Sequence, residues 1–218
     1  MDSMLFTKLL MLLSPEKRLK TTGYFKKEDQ LRSLFAELLA RFMIQQETGI
    51  EAASVRFSYN HYGKPQIANQ RGLYVNWTHA GEWVACALAD VEVGIDVEKI
   101  QCVEQSLVNR CLSKSELAEY ERKVDKEKNE YFIKQWTLKE SYVKWDSRGI
   151  VIPFRSITFE EDDINHFSLT IRNGDGETQC FLRSESLSDH YKLAFCSTIA
   201  DPPAQILVLQ HDELISKL

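Results

Sequence analysis

At 218 residues the chain has room for one large domain or two small ones, with a sizeable core in either case. A composition of 44% hydrophobic and 27% charged residues is that of a soluble globular protein, and a net charge of −5 lacks the overall basic footprint of a general nucleic-acid binder, so no nucleic-acid partner is expected. The five cysteines, Cys86, Cys102, Cys111, Cys180 and Cys196, show no C-x-x-C spacing and read as reduced thiols of a cytosolic protein rather than a disulfide framework or zinc site. The apolar stretch from Met4 to Leu13 is interrupted by Lys8 and followed by Glu16-Lys17-Arg18, where a signal peptide would have its small-residue cleavage site. It is too short to span a bilayer, so it is expected to form a helix leading into the fold, with no membrane partner.

Ser14-Pro15 is a helix start, a capping hydroxyl before proline at the first helical position, and places Lys17 and Lys20 three apart on one face. From Glu28 to Gln46, Leu31, Leu34, Phe35, Leu38, Leu39, Phe42 and Met43 follow three-and-four spacing, the pattern of an amphipathic helix. Val55, Phe57 and Tyr59 alternate as a strand that ends at the turn Tyr62-Gly63-Lys64-Pro65. Leu73, Val75 and Trp77 form the next alternating run and Trp83 to Ala89 another, joined tightly at Ala80-Gly81, with Thr78 and His79 at the corner.

In Val91 to Glu98, Val91, Val93, Ile95 and Val97 alternate with Glu92, Gly94, Asp96 and Glu98, the period of a half-buried strand. This sends the valines to the core and Asp96 and Glu98 together onto the polar face, behind a glycine that admits backbone or ligand closely. Paired carboxylates repel unless a cation lies between them, although an isolated D-x-E is more often a solvated face. A helical pattern containing Phe132, Trp136 and Val143 then carries Glu140 and Lys144, four apart on one face. Glu140 borders the buried side and supplies a third carboxylate; three acids beside a lysine suit a magnesium ion bridging phosphate oxygens.

Between these motifs, Leu107, Val108, Cys111, Leu112, Leu117 and Tyr120 form an apolar ridge that either is exposed or packs inward, and Lys123 to Lys128 reads as a charged, solvated loop. The remainder is strand-rich: Ile150 to Ile152, Ser156 to Phe159, Phe167 to Arg172, Cys180 to Arg183, Tyr191 to Ile199 and a last short strand at Leu207 to Leu209, with turns at Asn173-Gly174 and Asp175-Gly176.

Gly94-Ile95-Asp96-Val97-Glu98 and Trp136-Thr137-Leu138-Lys139-Glu140 with Lys144, together with Ser14-Pro15-Glu16-Lys17-Arg18, Lys27-Glu28-Asp29, Tyr62-Gly63-Lys64-Pro65, Asn76-Trp77-Thr78-His79 and Ser113-Lys114-Ser115-Glu116, resemble the 4′-phosphopantetheinyl transferases, most closely the surfactin-synthetase-activating type. The resemblance implies an α+β pseudo-dimer of two similar lobes, residues 1–93 and 94–218, acting as a monomer with the active site between them. It also implies a segment with a first strand ahead of Ser14-Pro15, where this sequence has thirteen residues. The activity it implies is magnesium-dependent transfer of 4′-phosphopantetheine from coenzyme A to a serine of an apo peptidyl or acyl carrier protein.

Carried over residue by residue, Asp96, Glu98 and Glu140 hold the metal, and Lys144 and His79 stabilise charge on the pyrophosphate. Glu140 or a water takes the serine proton. Lys17 and Lys20 meet the 3′-phosphate, and Arg32, Ser33, Thr78 and Tyr62, Gly63, Lys64, Pro65, Gln66 and Ile67 contact the nucleotide. An exposed ridge near Leu107 to Tyr120, with Arg110 and Lys114 at its rim, docks the carrier. Two other functions fit the same residues: a metal-dependent hydrolase of coenzyme A or a nucleotide pyrophosphate, and a non-catalytic coenzyme A binding module.

Overall fold

The first helices begin where the sequence supplies caps. The Asp2 carboxylate accepts from the Leu5 amide at 2.8 Å to open α1 (Ser3–Leu10), and Ser14 Oγ accepts from the Lys17 amide at 3.2 Å to open α2 (Pro15–Thr22). α3 (Lys27–Thr48) runs for 22 residues and ends at Gly49, whose φ of 73° is the left-handed turn that stops a helix. This computed structural model describes residues 2–147, 152–163, 165–173, 176–200 and 206–218. It divides into two units, Met1–Asp90 with Pro203–Leu218, and Val91–Pro202.

In the first unit α3 is buried on two sides. Leu34, Leu38 and Phe42 pack with Phe6, Leu9, Leu10 and Leu13, and with Leu214 of the C-terminal helix His211–Ser216. Ala40 and Ile44 pack with Val55, Ile67 and Val75. So enclosed, α3 also buries Arg41, which donates to Glu37 Oε1 and to the carbonyls of Ala52 and Val55. β1 (Phe57–Tyr59) pairs antiparallel with β2 (Pro65–Ile67), a short strand that the sequence reading takes as part of the turn. β3 (Tyr74–Ala80) and β4 (Trp83–Ala89) form the expected hairpin.

In the second unit the sheet order is β5 (Val93–Lys99), β9 (Tyr191–Ser197), β8 (Gly176–Ser188), β7 (His166–Asn173), β6 (Glu160–Asp163), every pair antiparallel. α4 (Gln105–Cys111) and α5 (Lys114–Arg122) lead into the 22-residue α6 (Asp125–Asp146), which lays Phe132, Ile133, Leu138, Tyr142 and Val143 on Phe167, Cys180, Leu182, Ala194 and Cys196. The α+β class is as expected. The grouping of the C-terminal residues with the first unit is a feature that the division at 93/94 does not contain. Among the described residues no helix is long and apolar enough to cross a membrane.

Three expectations change. Lys123 to Lys128 is not a loop: α6 begins at Asp125, and Asp125 and Glu127 sit in its first turn, where acids suit the helix dipole. Ser156 to Phe159 is not a strand, because Pro153 opens a 3₁₀ turn over Phe154–Ser156, closed by the Ile157 amide donating to Phe154 O at 3.1 Å, and the strand follows at Glu160. Leu207 to Leu209 is not a strand, with Leu207 and Val208 exposed and Leu209 packing on the first core. Of the expected strand Ile150 to Ile152, positions 150 and 151 lie outside the described residues, as do 174 and 175 of the two expected turns.

Candidate active site

Register decides which side of β5 matters. Gly94 lies opposite Cys196, Asp96 opposite Ala194, and Glu98 opposite Lys192. Cys196 and Ala194 belong to the core under α6, so Gly94, Asp96 and Glu98 face that helix. The alternation is as read and the apolar residues are buried as expected, but the face that carries the acids is covered too. The acids lie on the helix-covered side, and Val93, Ile95 and Val97 occupy the opposite face, where they too are buried. Gly94 is what permits this: a Cβ there would stand 2.0 Å from Ser141 O and 2.4 Å from Trp145 N. The close approach is therefore of helix backbone.

α6 answers with Trp136, Glu140 and Lys144, four residues apart and hence in one stripe. Lys144 Nζ donates to Asp96 Oδ1 at 2.5 Å, and Trp136 Nε1 donates to Glu98 Oε1 at 3.2 Å. Asp96 is buried at 3% exposure, and its partner lysine is partly open. Burial, then the Asp96 charge, push the Glu98 carboxyl up to about 7; the Trp136 hydrogen bond and Lys144 oppose this, and Glu140 adds to it. The Glu140 carboxyl is raised by the same two causes, burial first and Asp96 second, with Lys144 opposing.

Three mutually repelling acids against one lysine leave surplus negative charge in a poorly solvated place. That donor chemistry fits a hard divalent cation. Among the described residues no three acidic, histidine or cysteine side chains converge into a ready metal cage. Magnesium fills part of its coordination with substrate oxygens and water, so the acids need not close a cage by themselves to be compatible with it.

Two structural features flank the acids. Lys139, beside Glu140 in sequence, is fully buried and donates to Cys111 O at 2.9 Å, Phe154 O at 3.0 Å and Glu116 Oε2 at 2.5 Å. Next to Glu98 opens a groove of about 360 Å³, with Leu107, Phe132, Ile133 and Trp136 among its walls and Gln101 and Arg110 at its edge. Of the two placements expected for the ridge between Leu107 and Tyr120, the exposed one is corrected: Val108, Cys111, Leu112 and Tyr120 are buried in the second core and Leu107 is half-buried, because α4 and α5 turn their apolar sides into that core. Arg110 and Lys114 stay exposed.

In the first unit Lys17 is half-buried, its Nζ 6.0 Å from the Trp77 ring, whereas Lys20 is exposed. Burial pulls the Lys17 pKa down, Glu37 opposes this, and Lys20 reinforces it. Arg32 donates to Asp29 Oδ1 at 2.5 Å and to Gly81 O at 2.8 Å, tying α3 to the hairpin turn. Ser33 is buried with its hydroxyl 3.0 Å from that of Thr21, so its side chain serves the α2–α3 contact instead of an open surface. At the β1–β2 turn Asn60 Oδ1 accepts from the Tyr62 and Lys64 amides, Gly63 takes φ 84°, and Tyr62 and Gln66 are exposed while Pro65 and Ile67 are buried. On β3 Thr78 is buried and His79 is exposed, near enough for its charge to act on Asp29.

The model of the 4′-phosphopantetheinyl transferase superfamily matches residues 92–196, and that of the 4′-phosphopantetheinyl transferase N-terminal domain matches residues 2–91. The 4′-phosphopantetheinyl transferase Sfp of Bacillus subtilis is 30% identical over 95% of this chain and 92% of its own length. The chain belongs to the 4′-phosphopantetheinyl transferase family. Two further members are similar over most of the chain: psf-1 of Bacillus pumilus, 27% identical over 94% of this chain and 88% of its own length, and gsp of Aneurinibacillus migulanus, 29% identical over 90% and 81%. As a phosphopantetheinyl transferase it moves the phosphopantetheinyl group of coenzyme A to carrier proteins, and neither the hydrolase nor the binding-module reading is supported.

What sequence reasoning missed in this transferase is the second job of its motifs. Ser113-Lys114-Ser115-Glu116 is a capping box, with the Glu116 carboxylate accepting from the Ser113 amide at 2.7 Å and from Lys139. The S-x-x-E spacing announces the box. Nothing local announces that Lys139, 23 residues on, completes it.

Proposed function

We propose that the transferase is magnesium-dependent, with Asp96, Glu98 and Glu140 as the carboxylates that hold the ion on the pyrophosphate of coenzyme A. The observation that carries this reading is that the Asp96 charge acts on both Glu98 beside it on β5 and Glu140 on α6, with Lys144 opposing in each case and Glu98 held near 7. Bound there, the ion would neutralise charge on the pyrophosphate oxygens. The chain's own residues do the rest. Lys144 balances charge beside Asp96. Glu140 takes the proton of the attacking serine, directly or through a water, as the serine oxygen bonds to the β-phosphorus and the pyrophosphate bond breaks to release adenosine 3′,5′-bisphosphate, a role suited to a carboxyl held above its ordinary pKa. Positioning and charge neutralisation dominate such in-line phosphoryl chemistry.

In the first unit Lys17 and Lys20 are proposed for the 3′-phosphate, His79 for a phosphate, and Arg32, Thr78 and the turn from Tyr62 to Ile67 for the nucleotide. The exposed Arg110 and Lys114 are proposed as contacts for an acidic carrier protein, and the enzyme is proposed to act as a monomer in the cytoplasm. The test is to incubate the protein with coenzyme A, with and without magnesium and with and without an apo carrier. Holo carrier formed only when all three are present supports the reading, and so does a loss of orders of magnitude in Asp96→Ala and Glu98→Ala at limiting magnesium. Full turnover in chelator refutes the metal assignment.

A further inference from the structure

We propose that Trp136 is a positioning residue for Glu98, so that the metal affinity of this enzyme depends on an indole N–H that never touches the ion. The inference rests on the reading of Glu98 as a metal ligand. An indole has one donor and no acceptor, and Trp136 gives its donor to Glu98 Oε1 at 3.2 Å. The ring is not free to aim elsewhere. Its centroid lies 5.2 Å from that of Phe154 at 62° and 6.1 Å from that of Phe132 at 34°, and both phenylalanines are buried in the core. The ring also walls the groove next to Glu98.

Glu98 needs such help. It stands near the end of β5, on a flexible side chain, beside an Asp96 whose charge repels it and whose own lysine partner is already engaged. A donor on one carboxylate oxygen fixes the side chain against that repulsion and leaves the other oxygen for an ion. Trp136 is thus a tryptophan because the position needs a large apolar body with one hydrogen bond at its edge.

The test measures binding of manganese(II), a spectroscopic stand-in for magnesium, to the protein with coenzyme A present and no carrier. Trp136→Phe keeps the packing and removes the donor, and is expected to weaken manganese binding about ten-fold or more, as loss of a ligand's hydrogen-bond partner typically does. Its turnover should recover at high metal, and its melting temperature without metal should stay near that of the parent. Leu182→Ala, which loosens the same core away from the Trp136 ring, should lower the melting temperature and leave manganese binding unchanged. Manganese binding by Trp136→Phe at parental strength, or an equal weakening by Leu182→Ala, overturns the inference. Glu98→Ala separates the two levels: if it binds manganese like the parent, Glu98 is no ligand and the underlying reading falls with the inference. If only Glu98→Ala weakens binding, the inference alone falls. Should Trp136→Phe not fold, the indole proton resonance of Trp136 decides, since loss of the carboxylate in Glu98→Ala must shift it; an unmoved resonance overturns the hydrogen bond.

Discussion

Glu98 carries more information about this site than its place on a strand implies. Its pKa is raised from an ordinary carboxylate value to about 7, with burial the first cause and Asp96 the second. A carboxyl whose folded pKa lies above its unfolded one binds protons more tightly when folded. Its contribution to stability is present below the unfolded value and is lost as pH rises through about 7. Without metal, the parent should therefore melt at lower temperature at pH 8 than at pH 6, and Glu98→Gln should show a flatter profile over that window by differential scanning fluorimetry. Added magnesium should close the gap, because the ion takes the deprotonated form. The two lysines of α2 allow a second test. If Lys17 and Lys20 grip the 3′-phosphate, their double alanine variant should lose about ten-fold or more in coenzyme A affinity and little in dephospho-coenzyme A affinity by calorimetry. Residue identities of this kind were legible from motif and charge. The ion pair of Lys139 with Glu116 and the donor on Glu98 were not, since these two contacts join residues 23 and 38 positions apart.

At the level of elements, the strand and helix that make the site are held together by an absence of side chain. Gly94→Ala would place a methyl 2.0 Å from Ser141 O, a backbone atom that cannot swing away, so α6 must lift from β5. A cost of about 3 kcal/mol is expected, read as a lower denaturation midpoint with turnover lost in parallel. Leu112→Asp tests the core that α6 helps to form. Leu112 is 1% exposed within the second core, and a carboxylate there has nothing to pair with its lost hydration. The expected result is a loss above about 4 kcal/mol or insoluble expression, with no selective effect on the carrier's KM. Helix existence, the β3–β4 hairpin and the α+β class could all be read from periodicity and turn chemistry. Which face of β5 lies under α6 could not. Both faces of that strand are buried, and alternation alone cannot say which burial belongs to the helix.

For the molecule as a whole, the C-terminal helix is part of the first core, where Leu214 lies among Phe6, Leu9 and Leu38. Leu214→Ala should cost about 2–4 kcal/mol. Hydrogen exchange should locate the loss: amides of α3 should lose protection while those of α6 keep theirs, because the two helices belong to different units. This arrangement also sets an order in time. Synthesis delivers Val91–Pro202 as one uninterrupted stretch, so the second unit has all its parts while translation continues. The first unit, although residues 1–90 precede the second unit, must wait for the helix His211–Ser216 that follows it before Leu214 can join its core. The half of the enzyme that is begun first is the half that is finished last.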